Sequence, residues 1–334
     1  MSATNELTTS RIHDLHTALE EGVPFIQTIK GPDKLHLIVA DLATKRCVEA
    51  HESLYEAIAT HPERVATFGK SFDESQYISW ALENGAPAFS AEDSKKPNTD
   101  TGIRTVNPES ADNATNKATV IHTTKWSNRY TTLGRPGLES AMRSLGIVAD
   151  SIRRQLVEPY LKAVAVIHGI NPDEYYEHYF SPDRNGSSIM RAIMYHADAT
   201  VPAVDGNTEL LIKEHVDQSG FTVNVYTSGP GLQYMDKDGI WHDSHQIPFH
   251  EVAIFPGTGE QHLPNKIDPI VHRVKKIPQP RTVEYCILQN SQDRTNTGTP
   301  RIDRISFPYF ISSQEPDAKV VPPHSEVTHP LHIS

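Results

Sequence analysis

The stretch KEHVDQSGFTVNVYT, Lys213 to Thr227, carries two signals side by side. From Phe221 onward, apolar Phe221, Val223 and Val225 alternate with polar Thr222 and Asn224, the period of two that marks a strand. Just upstream, one residue separates His215 from Asp217. In extended backbone alternate side chains share a face, so this histidine and aspartate point the same way while Val216 points to the other. Two metal-ligand side chains are thereby aimed at one point at the mouth of a strand.

Outward from this stretch the same pattern recurs. SIMRAIMYH (188–196), TELLIKEHVD (208–217), GLQYMD (231–236), IWHD (240–243), EVAIFPG (251–257), PIVHRVKKI (269–277), TVEYCIL (282–288) and RISFPYFIS (304–312) all read as short strands. The KDG at 237–239 reads as a turn. Many short strands at this spacing predict a sandwich or barrel. The amino-terminal half differs. Ser10 can cap a helix RIHDLHTALEEG that stops at Gly22 and is followed by a strand VPFIQTI. Cys47, Leu54 and Ile58 suggest a second helix that halts before Pro62. A third starts near Pro136, with Leu138, Met142, Leu145, Val148 or Ala149, Ile152 and Leu156 at three- and four-residue steps, and Pro159 should kink or divide it. Segment 83–118, rich in Asn, Asp, Ser, Thr, Pro and Lys, shows no period and reads as a long irregular excursion. The expected fold is mainly β with flanking helices. A jelly-roll (double-stranded β-helix) core over 185–315 follows a mostly helical region over 1–180, in one domain spanning 1–334.

Composition narrows the function classes. The 334-residue chain has a formal net charge of −11, which argues against a surface for nucleic acid, whose binding rests on many Lys and Arg facing phosphates. Cys47 and Cys286 are too few for a disulfide framework and sit in apolar surroundings that suit buried free thiols. No run approaches the length of a membrane span, and the amino terminus lacks the basic start and apolar block of a leader. A cytoplasmic protein with a small-molecule partner, and with neither nucleic acid nor membrane, is the expectation.

His215 and Asp217 need a third ligand. His272, in PIVHRVKK, is flanked by alternating apolar residues, and the roughly 55 residues between it and the first pair leave room for jelly-roll strands to bring it back. Two imidazoles and one carboxylate on one side of a metal leave the opposite positions open, the arrangement of non-haem Fe(II) oxygenases. His242, His245, His250 and His262 read as surface, turn or core residues.

In order along the chain, TKWSN, MRAIMYH, HVD, GPGLQYMDKDGIWHD, EVAIFPGTGEQHLPN, VHRV and RISFPYF resemble the isopenicillin N synthase-like branch of the iron(II)- and 2-oxoglutarate-dependent dioxygenases. The resemblance covers roughly the last 60% of the chain. It implies that His215, Asp217 and His272 hold Fe(II), and that Arg304 and Ser306 match the Arg-x-Ser pair for the distal carboxylate of 2-oxoglutarate. It also implies a Tyr195 hydroxyl that donates to this cosubstrate. Ile193 stands where the branch often has asparagine. Arg304 follows His272 by about thirty residues rather than the usual ten or so. Arg281 sits at the usual spacing but lacks the serine and the aromatic sequel. The implied activity uses Fe(II), 2-oxoglutarate and O2 to hydroxylate, desaturate or ring-close a small molecule, with a natural-product or amino-acid-derived substrate in secondary metabolism as the expectation. A 2-oxoglutarate-independent iron oxidase and a jelly-roll binding protein are the rival readings. Lys125, Arg129 and Arg191 are cations that could meet an anionic substrate group or simply be structural charges.

Overall fold

A computed structural model describes residues 7–29, 35–52, 77–79, 102–106, 117–123, 136–180, 188–196, 201–202, 209–217, 219–247, 249–259, 267–277 and 302–311. Helix α1 spans Thr9–Glu21. It closes at Gly22, whose φ of 68° is the left-handed conformation that glycine adopts without a Cβ penalty, and whose N–H reaches the Ala18 carbonyl. Leu15 is fully buried, with Ile12 and Leu19 packed on the same core. Strand β1, Phe25–Thr28, follows directly. Helix α2, Leu35–Asp41, passes through a π turn at Leu42–Arg46 and resumes over 47–52. Leu54 and Ile58 lie outside the described residues. Cys47 is buried with a free thiol, as its apolar setting predicts.

Helix α3, Pro136–Ile152, ends in a second π turn, Arg153–Val157, before α4, Glu158–Ile167. Pro159 therefore divides the long helix from the first turn of α4, where a proline without an N–H is tolerated. Leu145, Val148, Ala149, Ile152 and Leu156 are buried, the face that their spacing predicts. Each large one contributes on the order of 1.5–3 kcal/mol of apolar burial. Helix α5, Pro172–Phe180, packs on α4.

The other strands are β2 (Tyr77–Ser79), β3 (Gly102–Val106), β4 (Lys117–Thr123), β5 (Ile189–His196), β6 (Val201–Pro202), β7 (Glu209–His215), β8 (Phe221–Thr227), β9 (Leu232–Met235), β10 (Trp241–Asp243), β11 (Glu251–Pro256), β12 (His272–Lys275) and β13 (Ile302–Ile311). They form an antiparallel sheet in the order β1-β11-β8-β13-β5-β4-β3-β2 and a second in the order β10-β9-β12-β7-β6. One face of the large sheet, with Met190, Met194, Phe221, Val223 and Tyr309, joins the helices in the main core. Its other face meets the small sheet, where Ile193 and Tyr195 pack with Leu211, Leu232 and Val274. The expected jelly-roll core with flanking helices is thus present.

Two sequence expectations change. Segment 83–118 is not irregular throughout, because β3 and the start of β4 lie within it and extend the large sheet beyond β5. GIRTV has the β-branched residues of a strand, but five residues set among polar ones are too short to show a period. The region before 180 also contributes β1 to β4, so it is less purely helical than its periodicity suggests. TKWSN, TVEYCIL, Lys125, Arg129 and Arg281 lie outside the described residues. Among those described, no helix is long and apolar enough to cross a membrane.

Candidate metal centre

The two sheets bring the three sequence-predicted ligands together. His215 ends β7 and His272 opens β12, and the two are directly opposed in the ladder, with ring centroids 4.2 Å apart. Asp217 lies two residues past the end of β7. The Nε2 atoms of His215 and His272 are 3.7 and 3.6 Å from its carboxylate oxygens. All three ligand atoms fall within 4.8 Å of one another. Bonds of about 2.0–2.2 Å from one ion to imidazole nitrogen and carboxylate oxygen can bridge ligand atoms up to about 4.2 Å apart, so both histidine–aspartate separations suit a shared ion. They are also too long for hydrogen bonds, so direct contact among the three is not what gathers them.

Hydrogen bonds behind each ligand fix its aim. His215 Nδ1 lies 2.8 Å from the Lys213 carbonyl and His272 Nδ1 lies 3.1 Å from the Ile270 carbonyl. A carbonyl oxygen can only accept, so both Nδ1 atoms carry the proton and both Nε2 lone pairs face the centre. The Thr222 hydroxyl donates to Asp217 Oδ2 at 2.5 Å from β8 of the large sheet. The Thr258 N–H, just past β11, donates to the Asp217 carbonyl at 2.8 Å. Gly257 leaves space for this approach, because a Cβ there would collide with the Ser219 carbonyl and stand 2.7 Å from that of Asp217. The Phe255 ring, 4.8 Å from that of His272, closes one side. Asp217 and His272 are almost fully buried, whereas His215 is about a third exposed, so the centre opens past His215.

On the outer face of the small sheet a second set of contacts ties the ligand-bearing strands together. Arg273, next to His272, donates to Glu214, next to His215, at 3.0 Å and to Gln233 of β9 at 2.8 Å, and its guanidinium lies 4.0 Å from the Trp241 ring centroid.

The residues matched to 2-oxoglutarate gather on the inner face of the large sheet. Arg304 pairs with Tyr195 across β13 and β5, and Ser306 pairs with Ile193. Arg304 is only 5% exposed, and its Nε has no hydrogen-bond partner. Among the described residues no carboxylate forms an ion pair with it. Burial lowers its pKa from the ordinary value, opposed by nearby Tyr195, Tyr226 and Asp303, but an arginine stays charged in a protein. A buried cation without a counter-charge is costly and calls for an anion. Ser306 Oγ donates to the Tyr195 oxygen at 3.3 Å, which leaves the Tyr195 proton free to donate elsewhere. Burial pushes the Tyr195 phenol up, opposed by the Arg304 cation and the Ser306 hydrogen bond, so it is a neutral donor at physiological pH. Beside Tyr195, Ile193 packs with Leu232 and Val274 of the small sheet in one apolar cluster.

Of the histidines read as non-ligands, His242 pairs with Asp236 at 2.6 Å in the β9–β10 hairpin, in the ladder row of His272 but beyond Tyr234. Thr222 and Gly257 were not singled out by the sequence. Thr222 reads there as the polar alternate of a strand, and only the Pro256–Gly257 turn hints at a close approach.

No protein-family model matches the chain, and no curated protein matches it. Solved structures do share its fold. A full-length Neurospora crassa protein in complex with alpha-KG and thymine is 17% identical with a TM-score of 0.51, over 90% of this chain and 79% of that one. A Caulobacter crescentus protein assigned to the 2OG-Fe(II) oxygenase family is 15% identical with a TM-score of 0.52, over 93% of this chain and 87% of that one. At these identities the likeness establishes a common fold.

Proposed function

We propose that the protein is an Fe(II)- and 2-oxoglutarate-dependent dioxygenase of the isopenicillin N synthase-like branch. It couples oxidative decarboxylation of 2-oxoglutarate to hydroxylation, desaturation or ring formation on a small molecule. The observation that carries this reading is the convergence of His215, Asp217 and His272, each held from behind, in a barrel that also buries Arg304 without a counter-charge among the described residues. That the Neurospora crassa protein, of the same fold, binds alpha-KG and thymine supports a small-molecule substrate.

The donor set suits Fe(II), since two neutral imidazoles and one carboxylate on one side leave positions free for a chelating cosubstrate and O2. When bound, iron with 2-oxoglutarate and O2 supplies the oxidising power to break a substrate C–H bond, and succinate and CO2 are released. The chain's own residues bind, orient and exclude water. Arg304 would hold the distal carboxylate of 2-oxoglutarate through the planar fork that favours two parallel charge-assisted hydrogen bonds. Ser306 orients Tyr195, whose phenol O–H donates to the same carboxylate. Ile193, Leu232 and Val274, which pack together beside Tyr195, would offer apolar cover to the cosubstrate's methylenes and limit water there. Thr222 fixes the orientation of the Asp217 carboxylate through its hydrogen bond to Oδ2.

Anaerobic titration with Fe(II), with and without 2-oxoglutarate, tests this directly. A metal-to-ligand charge-transfer band that requires both additions is the expected result. Iron binding that ignores 2-oxoglutarate would favour an oxidase, and no iron binding would favour a binding protein.

A further inference from the structure

A second arginine without a counter-charge among the described residues faces the same interior. In β5, Met190, Ala192 and Met194 join the helix-side core, while Ile193 and Tyr195 face the space between the sheets. Alternation puts Arg191 on the face of Ile193 and Tyr195. Its guanidinium lies 4.9 Å from the centroid of the Phe310 ring. Its Nε is shielded from water and has no hydrogen-bond partner, and among the described residues no carboxylate pairs with it.

The strand register places this stack at the metal end of the barrel. Phe310 is opposed by Ile189 on β5 and by Thr222 on β8. Thr222 is the residue whose hydroxyl holds Asp217. Phe255 of β11 is opposed by the same Thr222 and packs its ring on His272. Arg191 sits two residues along β5 from Ile189, and its guanidinium reaches back to Phe310 in the row of Thr222, whereas Arg304 and Tyr195 lie four residues of β5 further on, about 13 Å along an extended strand. Bound between Arg304 and the metal, 2-oxoglutarate would leave the Phe310 side of the centre, which the Arg191 guanidinium reaches, for whatever is oxidised.

We infer that Arg191, stacked on Phe310 beside the metal centre, binds an acidic oxygen group of the substrate, so that the substrate is a small carboxylic acid. This rests on the dioxygenase reading of the same site. With its flat face covered by Phe310, the guanidinium keeps its edge donors for a ligand, and those match a carboxylate in pairs. Cation–π stacking fixes the side chain before the ligand arrives, which lowers the ordering cost of binding.

Anaerobic calorimetry on the protein loaded with Fe(II) and 2-oxoglutarate tests the inference. The probes are benzoate, phenylacetate and hexanoate, each set against its primary amide. At least one acid binds about tenfold or more tightly than its amide, as a charge-assisted hydrogen bond of about 1.5 kcal/mol or more requires. Arg191→Gln erases that ratio and Arg191→Lys restores part of it. Acids and amides that bind alike, or not at all, would overturn the inference, as would a preference that survives Arg191→Gln. A variant that loses 2-oxoglutarate affinity instead would assign Arg191 to the cosubstrate and also overturn it. Failure of Fe(II) and 2-oxoglutarate to load would sink the dioxygenase reading and this inference with it. Normal loading without acid preference would sink the inference alone.

Discussion

Replacing Thr222 by valine isolates one bond in the metal centre. Valine keeps the shape and β-branching but removes the hydroxyl that donates to Asp217 Oδ2 at 2.5 Å. Both residues are buried, Thr222 at 1% and Asp217 at 8% exposure, so water cannot readily replace the donor. A hydrogen bond to a charged group contributes about 1.5–3 kcal/mol, which corresponds to roughly 10- to 150-fold in a binding constant. Loss of a group supporting a metal ligand typically weakens affinity by about 10–100-fold, so two independent routes agree. Ser219 Oγ, 3.1 Å from the Thr222 hydroxyl, is a nearby group able to turn toward the carboxylate, and it sets the lower end of the range. Anaerobic Fe(II) titration in saturating 2-oxoglutarate, followed through the charge-transfer band, measures the loss, and circular dichroism confirms the fold. An affinity within about threefold of the parent would refute the reasoning. So would an equal loss in an Asp217→Asn background, where there is no carboxylate left to support.

Arg304→Gln should weaken 2-oxoglutarate binding by about 100-fold while Fe(II) alone still binds, as calorimetry with each ligand separately would show. Gly257→Ala should lower both stability and Fe(II) affinity, because its Cβ runs into the Ser219 and Asp217 carbonyls. An overpacking cost of about 1–3 kcal/mol is expected in denaturant unfolding of the metal-free protein. Cys47, fully buried and with its thiol pushed up by desolvation, should resist iodoacetamide in the native protein and react on unfolding, as peptide mapping would reveal.

The strands of the core were legible because each carries its own period. Phe221, Val223 and Val225 face the helices while Thr222 and Asn224 face inward, as alternation requires. The convergence of His215 and His272 was legible for the same reason. Asp217 was placed with them on incomplete grounds. It lies beyond the end of β7, and its position depends on Thr222 and on the carbonyl contacts around Gly257, partners in other strands that spacing cannot reveal. Strand β3 escaped notice because five residues amid Asn, Asp and Ser give no repeat, and its pairing with β4 is what makes it a strand. The π turns at 42–46 and 153–157 have no sequence period of their own. Arg304 and Arg191 look alike in sequence as cations within apolar strands. Only their neighbours across the sheet separate them, one beside Tyr195 and the other stacked on Phe310 in the row of Thr222.

The central claim is that three side chains from β7, the turn after it and β12 share one ferrous ion with open positions beside it. A crystal structure of the protein loaded anaerobically with Fe(II) and 2-oxoglutarate tests this most directly. It should show one iron bonded to His215 Nε2, His272 Nε2 and an Asp217 carboxylate oxygen, with the cosubstrate chelating it and its far carboxylate on Arg304. Iron bound without one of those three ligands, or 2-oxoglutarate bound away from Arg304, would contradict it.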